Sequence, residues 1–482
     1  MSLAQPQSGL AAEYVEYDAL GLAELISRKK ITPLELLNAV RQRAESLNPR
    51  LNAFSQFFYE AAESQIKAGL PKGPFSGVPF ALKDIHLQMA GTRTTFGSRV
   101  YRDYVATTNS TLVERYKNAG LVIFGKTTTP EFGLTTTTES VLYGPTRNPW
   151  NLERTSGGSS GGTSAVIASR ILPAAHGSDG GGSIRIPASC CGLFGLKPTR
   201  GRVPLGPTAF EGWNGFSVHH ALTRSVRDSA ALLDVTIGAE PGSPFFSAAP
   251  EKPFLRETST APGKLRIALV VEPYSGSPLD PECRKAVLEA AKLCESLGHH
   301  VEEKKLPLES AFLTNTFLAI FYVSVARALD DGAKVLGRPV TENDVEPVTW
   351  ATAQQGKSVA SVDYSRAIAN SHQIGLAMAR FLQNYDLILS PTLAKPPVKL
   401  GLLSLSPPDI STYGRDVSEF SPYTSLYNVT GQPSMSVPLH WTGDGLPVGV
   451  MFSGRFGDEA TLFRLAGQLE RAHPWTERRP TL

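Results

Sequence analysis

Two clusters of glycine and serine stand near the middle of the chain: GGSSGG at residues 157–162 and GSDGGGSIRIP at residues 177–187. Glycine at this density lets the backbone adopt positive φ angles and lets successive N–H groups point toward one centre. A serine beside such donors has the two components that acyl transfer needs, a nucleophile and a binding site for an oxyanion. The pattern therefore predicts an acyl-transfer site.

A linker, a phosphate-binding loop and a hydrolase elbow fit the two clusters less well. The first cluster alone would more often be a flexible linker, but the second continues into Ile184-Arg185-Ile186, which is too apolar for one. Both clusters have the glycine spacing of a phosphate-binding P-loop, yet Thr163 and Ser183 stand where its lysine is required. Ser183 does not lie in a G-x-S-x-G elbow, which argues against an α/β-hydrolase.

The residues around the clusters resemble the amidase signature family. The matching segments are NPWN at 148–151, GGSSGGTSAV at 157–166, GSDGGGSIRIPA at 177–188, CGLFGLKPT at 191–199 and, upstream, GVPFALKD at 77–84. The resemblance implies a catalytic triad in which Ser183 is the nucleophile, Ser159 relays protons and Lys83 is the base. It also implies a cis peptide bond between Gly158 and Ser159.

The resemblance further implies an oxyanion hole made of the N–H groups of Gly180, Gly181, Gly182 and Ser183. For Lys83 to act as a base it must be neutral, and burial would lower its pKa from the usual value. We interpret Asp179 and Arg185 as a buried pair that supports the loop. His86 and His176, the histidines nearest the motifs, are expected to have structural roles.

Helical and strand patterns alternate along the chain, which indicates an α/β fold. Helices are predicted at 20–27, 32–47, 110–118 (with Ser110 as N-cap), 281–297 (with Asp280 as N-cap) and 459–471, and strands at 78–82, 121–124, 264–271, 386–390, 434–438 and 448–452. The resemblance implies one large domain over residues 1–482, with a central mixed β-sheet covered by helices on both faces. The match is strongest at about 75–202, whereas about 239–362 is a variable region that covers the substrate.

The amino-acid composition restricts the kinds of partner that the chain is expected to bind. The net charge of +3 over 482 residues gives no reason to expect binding to nucleic acid or a membrane. The four cysteines lack zinc-site spacing and are typical of buried thiols in a reducing compartment. Residues 1–11 have no apolar core of a signal peptide, and no uncharged apolar stretch is long enough to predict a membrane span. We expect a cytoplasmic enzyme without a cofactor or metal; a homodimer is left open.

The family contains enzymes with different substrates. Its tRNA-dependent amidotransferase subunit typically has glutamine and asparagine where this chain has Ile186 and Ile85, so the resemblance favours a free-standing amidase. The GSDGGGSIRIPA form is closer to aryl acylamidases and the 6-aminohexanoate cyclic dimer hydrolase. A hydrophobic or aromatic amide is expected to bind at Gly158 and at an apolar pocket built from Phe132, Leu134, Phe210, Trp213, Tyr423 and Tyr427. Carbamates, esters, glutamine hydrolysis within an amidotransferase and a non-catalytic binding protein remain alternatives.

Overall fold

The computed structural model describes residues 13–482. The prediction that residues 1–11 form no signal peptide concerns a segment outside the described residues. Fifteen α-helices are described in this part of the chain: α1 (Ala19–Ser27), α2 (Pro33–Leu51), α3 (Tyr59–Ala68), α4 (Thr111–Asn118), α5 (Gly161–Ala168), α6 (Arg185–Cys191), α7 (Val226–Thr236), α8 (Phe254–Glu257), α9 (Pro281–Ser296), α10 (Ser310–Leu336), α11 (Pro347–Ser358), α12 (Ser361–Phe381), α13 (Ile410–Phe420), α14 (Leu426–Thr430) and α15 (Glu459–Ala472).

The strands form one large sheet, one small sheet and two short hairpins. They are β1 (Phe54–Phe57), β2 (Pro79–Lys83), β3 (Val122–Thr127), β4 (Glu139–Ser140), β5 (Gly144–Pro145), β6 (Arg147–Asn148), β7 (Asn151–Thr155), β8 (Ala174–Asp179), β9 (Phe194–Lys197), β10 (Val218–Thr223), β11 (Arg266–Leu269), β12 (His300–Glu303), β13 (Leu387–Pro391), β14 (Ser434–Trp441) and β15 (Pro447–Gly454).

The large sheet has eight strands in the order β12-β11-β13-β15-β14-β9-β10-β8. Strand β11 pairs in parallel with β12 and β13, whereas the pairs from β13 to β8 are antiparallel, so the sheet is mixed. The small sheet has the order β1-β3-β2, with β2 parallel and β1 antiparallel to β3. Strands β2 and β8 lie next to each other, which brings the two sheets together at the edge strand β8.

Helices cover both faces of the large sheet. Along β15, Val450 and Phe452 belong to the main core together with residues of α9 and α15, whereas Met451 packs into a second cluster with residues of α12 and α14. Successive side chains of a strand point to opposite faces, so the two clusters lie on the two sides of the sheet. The predicted α/β class, with a mixed sheet between helical layers, is confirmed.

Local sequence signals explain several element boundaries. The Asp280 carboxylate accepts a hydrogen bond from the Glu282 amide at 2.8 Å, which confirms the predicted N-cap of α9. Helix α4 also begins where expected, but the Ser110 hydroxyl makes no capping bond to its own helix. It accepts from the Gln88 amide at 2.9 Å instead, so Ser110 is the N-cap residue as predicted but forms no side-chain capping bond. A tertiary contact has replaced the local one.

Helix α10 is the longest described helix and lies in the region where the sequence carries no motif. By length and apolar composition it is the one described helix that could cross a membrane. In the structure it packs against α11 and α12 and buries Leu313, Ile320, Val325 and Leu329, as a core helix of a globular domain does. Part of its apolar surface is therefore buried inside the fold.

Candidate active site

Lys83 is the last residue of β2, a strand in which every residue is buried. Its backbone amide donates a hydrogen bond to His176 Nδ1 on β8 at 3.2 Å, which ties the end of the small sheet to the large one. Its Nζ atom lies 2.7 Å from Ser159 Oγ and 3.0 Å from Ser178 Oγ. The structure therefore brings two of the sequence-predicted catalytic residues, Lys83 and Ser159, into direct contact.

The surroundings of Lys83 favour its neutral form. The side chain is fully buried, and burial lowers its pKa from 10.5 to about 7. The carboxylate of Asp179 acts in the opposite direction but does not compensate for the lost hydration. A lysine with this pKa is unprotonated in a large fraction of molecules near neutral pH, as a general base requires.

Ser159 lies at the start of α5, behind a turn at residues 131–133. The peptide bond between Gly158 and Ser159 is cis, and Thr129 Oγ1 donates to the Ser159 carbonyl at 2.9 Å. Gly133 has φ +68°, and a Cβ atom there would lie 3.0 Å from Ser159 Oγ. Gly158 is equally restricted, because a Cβ atom on it would collide with the Thr137 backbone rather than face a cavity.

The backbone from Gly180 to Ser183 forms the loop between β8 and α6. The Asp179 carboxylate accepts hydrogen bonds from the amides of Gly182 at 2.8 Å and Ile184 at 3.1 Å. The Gly182 amide is thus already engaged, in contrast to its predicted place in the oxyanion hole. Within residues 13–482, the amides of Gly180, Gly181 and Ser183 donate no hydrogen bond, which leaves three donors available to a ligand.

A buried ion pair holds this loop from below, as the sequence predicts. Arg185 Nε and Nη2 lie 3.0 and 2.9 Å from the two carboxylate oxygens of Asp179, and both side chains are fully buried. The side-chain amide of Asn428 donates a further hydrogen bond to the same carboxylate at 2.8 Å. Burial would raise the pKa of Asp179, but Arg185 and Asn428 outweigh this effect and hold the pKa below its usual range. The carboxylate therefore stays ionised.

Two histidines support the site rather than enter it. His176 Nε2 lies 2.9 Å from His219 Nδ1, and the two rings stack with centroids 5.1 Å apart. Burial, with the neighbouring histidine and Lys83, moves the pKa of His176 well below 6.5, so the ring is neutral. The structural role predicted for His176 is confirmed. The sequence gives no sign of His219, because a histidine in a buried strand carries no local signal.

A cavity of about 450 Å³ opens in front of the glycine loop, and Ser183 and Gly181 form part of its wall. No hydrogen bond joins Ser183 to Ser159 within the described chain. Gly133 lines the same cavity as Ser183 and lies beside the Ser159 hydroxyl, which places Ser159 next to the cavity wall. Of the substrate residues predicted from sequence, Leu134 and Trp213 line this cavity.

The remaining aromatic residues predicted for the pocket lie elsewhere. Tyr423 and Tyr427 are 2% exposed and belong to the core cluster beneath the large sheet. Phe210 is 39% exposed and lines a different, small cavity, and Phe132 faces a second cavity beside the first. Tyr423 and Tyr427 therefore do not line the predicted apolar pocket, because they are used for packing. Phe132, in contrast, lines a cavity that shares Leu134 and Trp213 with the first.

Two helices that are not predicted from sequence complete the cavity, and one of them, α10, belongs to the region expected to cover the substrate. Helix α10 contributes Thr314, Phe317, Leu318, Phe321 and Tyr322, and α13 contributes Tyr413, Gly414, Arg415, Val417 and Ser418. The amphipathic patterns of these helices show that one side is apolar, but not that this side faces a cavity. Among residues 13–482 there is no group of three or more histidine, cysteine or acidic side chains placed to hold a metal ion.

Comparison with known proteins gives consistent matches over almost the whole chain. The sequence profile of the Amidase family matches residues 35–463. A 6-aminohexanoate-cyclic-dimer hydrolase from Pseudomonas sp. (strain NK87) is 37% identical over 479 residues, which cover 96% of this chain and 96% of the relative. The structure of a 6-aminohexanoate cyclic dimer hydrolase complexed with substrate has a TM-score of 0.92 at 36% identity, covering 97% of this chain and 99% of that chain. A bacterial aryl acylamidase of the amidase signature family has a TM-score of 0.86 at 26% identity, covering 96% and 97% of the two chains.

Proposed function

The chain belongs to the Amidase family and is an amidase, and from this premise we propose that it hydrolyses a small, uncharged, hydrophobic amide through an acyl-enzyme on Ser183. The observation that carries the proposal is the contact of 2.7 Å between the buried Lys83 amine and the Ser159 hydroxyl, beside a cavity whose wall contains Ser183. A buried amine with a lowered pKa is a suitable final acceptor for the proton of a serine nucleophile.

In the proposed acylation step, Ser183 Oγ attacks the amide carbonyl carbon. Its proton passes to Ser159, while Ser159 passes its own proton to neutral Lys83. The carbonyl oxygen becomes an oxyanion, and the free amides of Gly180, Gly181 and Ser183 are its proposed donors. Asp179, which is paired with Arg185, holds the loop that carries these amides by accepting from the Gly182 and Ile184 amides.

In the steps that follow, the tetrahedral intermediate collapses and the carbon–nitrogen bond breaks. The proton held by Lys83 returns through Ser159 to the leaving nitrogen, so an amine or ammonia is released. Water then attacks the ester carbonyl on Ser183 and gives one proton through Ser159 to Lys83. The bond between the acyl carbon and Ser183 Oγ breaks, the proton returns through Ser159 to Ser183 Oγ, and a carboxylic acid leaves and ionises in solvent. Acylation and deacylation each end with Lys83 neutral and Ser159 protonated, as at the start.

The lining of the first cavity supports an uncharged substrate. Arg415 is the one charged residue among the residues that line it, and its guanidinium is paired with Asp416 at 3.3 Å. Most of the remaining surface comes from aromatic and aliphatic side chains such as Trp213, Phe317 and Phe321. Burial of apolar substrate surface against these rings would supply most of the binding free energy.

The proposed test uses the single purified chain with EDTA, without nucleotide, and a panel of anilides, primary amides and cyclic amides. We expect release of a carboxylate together with an amine or ammonia. Ser183→Ala should lower kcat by at least about a thousandfold. A sulfonyl fluoride should label Ser183 in the wild type and should no longer label the Ser183→Ala variant.

Ser275 provides the matched control, because it lines the same cavity but lies outside the glycine loop. Ser275→Ala should remain active and should be labelled as the wild type is. Full activity of Ser183→Ala would contradict the proposal. Activity that appears only with ATP and a further subunit would favour the amidotransferase alternative.

We also propose that the enzyme acts in the cytoplasm. Its four cysteines are unpaired and buried, which suits a reducing compartment.

A further inference from the structure

A second cavity of about 420 Å³ lies beside the first and shares two wall residues with it, Leu134 and Trp213. Its wall combines the aromatic side chains of Phe96, Tyr101, Tyr104 and Phe132 with polar side chains such as those of Gln88 and His219. Neither Ser183 nor any residue of the glycine loop lines it. The second cavity is therefore a neighbouring space that meets the proposed acyl site at Trp213 and Leu134.

Backbone strain is concentrated around the second cavity. Eight non-glycine residues in the described part of the chain have positive φ angles, and four of them line this cavity: His86 (φ 56°), Phe96 (φ 55°), Phe132 (φ 49°) and Trp213 (φ 54°). Bulky residues rarely adopt this conformation, and it persists where the surrounding structure enforces it, often at ligand sites. The wall of the second cavity is thus built in part from residues in unfavourable backbone conformations.

One short segment connects the second cavity to the proposed catalytic residues. Gly133 contacts the Ser159 hydroxyl and lines the first cavity, Leu134 lines both cavities, and Phe132 lines the second. In the proposed reaction the acyl group stays on Ser183 in the first cavity, whereas the leaving nitrogen receives its proton from Ser159. The group attached to that nitrogen therefore emerges on the Ser159 side, from which residues 132–134 lead to the second cavity.

The charges at the second cavity indicate what kind of group it accepts. Glu211 pairs with Arg327 at 3.6 Å, and Asp331 pairs with Lys334 at 2.6 Å. These residues are exposed or half-buried and lie toward the solvent, so the aromatic interior faces no unpaired charge from them. An apolar group would be buried inside, with any polar end meeting the paired charges at the rim.

We propose that the second cavity is the binding site for the amine side of the amide substrate, an aryl or alkyl amine, while the first cavity holds the acyl side. This inference rests on the proposed function. When the carbon–nitrogen bond breaks, the nitrogen takes the proton delivered by Ser159, and the neutral amine remains in the second cavity until it leaves. Trp213 and Leu134 are then the residues that separate the two halves of the substrate.

The test uses a variant with a narrower second cavity and a set of amide substrates that differ only in their leaving group. Ala328, on α10, lines the second cavity, whereas Ala333 on the same helix is similarly half-buried and lines neither cavity. The substrates share one acyl group and release ammonia, aniline or a para-alkyl aniline. Ala328→Phe should lower kcat/KM for the anilides by about tenfold or more, with the larger amine affected most. The primary amide should stay within about twofold, as should all three substrates with Ala333→Phe.

A second variant guards against poor folding of Ala328→Phe. Val335 is 40% exposed at the mouth of the second cavity, so Val335→Trp should fold and should discriminate against the larger anilide in the same direction. Equal effects on the primary amide and the anilides, or no effect of either variant, would overturn the inference while the proposed function stands. A wild-type chain that hydrolyses none of the three substrates would overturn the proposed function as well.

Discussion

Replacement of Lys83 by methionine should remove activity and at the same time reduce the pH dependence of stability. Lys83 is fully buried, and burial lowers its pKa from 10.5 to about 7. Between these two values the unfolded chain carries a proton on Lys83 that the folded chain has largely lost. The unfolded state therefore binds more protons, and the free energy of unfolding contributed by this group rises with pH.

The magnitude follows from the difference between the two pKa values. The full difference corresponds to about 5 kcal/mol of destabilisation at pH values below the folded pKa. At pH 8 about 3 kcal/mol of this penalty remains, and it decreases by about 1.4 kcal/mol for each further pH unit up to about pH 10. Methionine has no such penalty, although it gives up the hydrogen bonds to Ser159 and Ser178.

The loss of those hydrogen bonds costs about 1–3 kcal/mol each and does not depend on pH in this range. The absolute stability of Lys83→Met thus depends on both the removed burial penalty and the lost hydrogen bonds. The pH dependence of the stability difference, however, reports only the titration of Lys83. The difference in unfolding free energy, variant minus wild type, should fall by about 1.4 kcal/mol per unit between pH 8 and pH 10. It is measured from urea unfolding curves followed by tryptophan fluorescence.

Lys264→Met serves as the matched control, because Lys264 is exposed and its replacement removes one positive charge without altering the interior. Its unfolding free energy should follow that of the wild type with pH. Parallel curves for Lys83→Met and the wild type would refute the argument that Lys83 is neutral in the folded state. The wild-type activity should also rise with pH around 7, since the neutral amine is the active form.

Two glycine positions give further predictions. At Gly180 a Cβ atom would lie 2.8 Å from the Trp213 ring, so Gly180→Ala should lower kcat/KM for an anilide by about tenfold or more. Adding Trp213→Phe to the same chain should restore part of this kcat/KM. Full activity of Gly180→Ala would contradict the tight contact. Gly414 on α13 lines the first cavity, whereas Gly375 on α12 lines neither cavity, and a Cβ atom at either would meet open space. Both Gly414→Leu and Gly375→Leu should raise the free energy of unfolding in urea by up to about 1 kcal/mol. Only Gly414→Leu should reduce kcat/KM for substrates with bulky acyl groups. Equal kinetics of the two variants would show that α13 does not limit the size of the acyl group.

The parts of the site that could be predicted from sequence are those carried by local motifs. The strand predicted at 78–82 is observed as β2, and it places Lys83 at its end. The glycine loop and its Asp179–Arg185 pair lie within seven consecutive residues, so their geometry follows from the loop itself. Asn428, in contrast, reaches the same carboxylate from a distant part of the chain, and only the fold reveals that contact.

The substrate pocket could not be predicted in the same way. Its wall comes largely from α10 and α13, which lie far from the motifs in sequence. An apolar helix face has the same pattern whether it packs on a neighbour or borders a cavity, so nothing in the sequence distinguishes Phe317, which lines the pocket, from Ile320, which is core. Tyr427 shows the opposite error, since it is predicted to line the pocket yet belongs to the core.

The histidines beside Lys83 explain why a lysine is the proposed base in a site that also contains imidazoles. The Lys83 amide donates to His176 Nδ1, so the ring proton of the neutral histidine lies on Nε2 and is donated to His219 Nδ1. Both nitrogens of His176 are thereby engaged, and neither can accept a proton from a serine. A cationic His176 would also lose its acceptor toward Lys83 and place a second positive charge beside it. The neutral imidazole pair therefore fixes the end of β2 while leaving the Lys83 amine as the group that changes its protonation state.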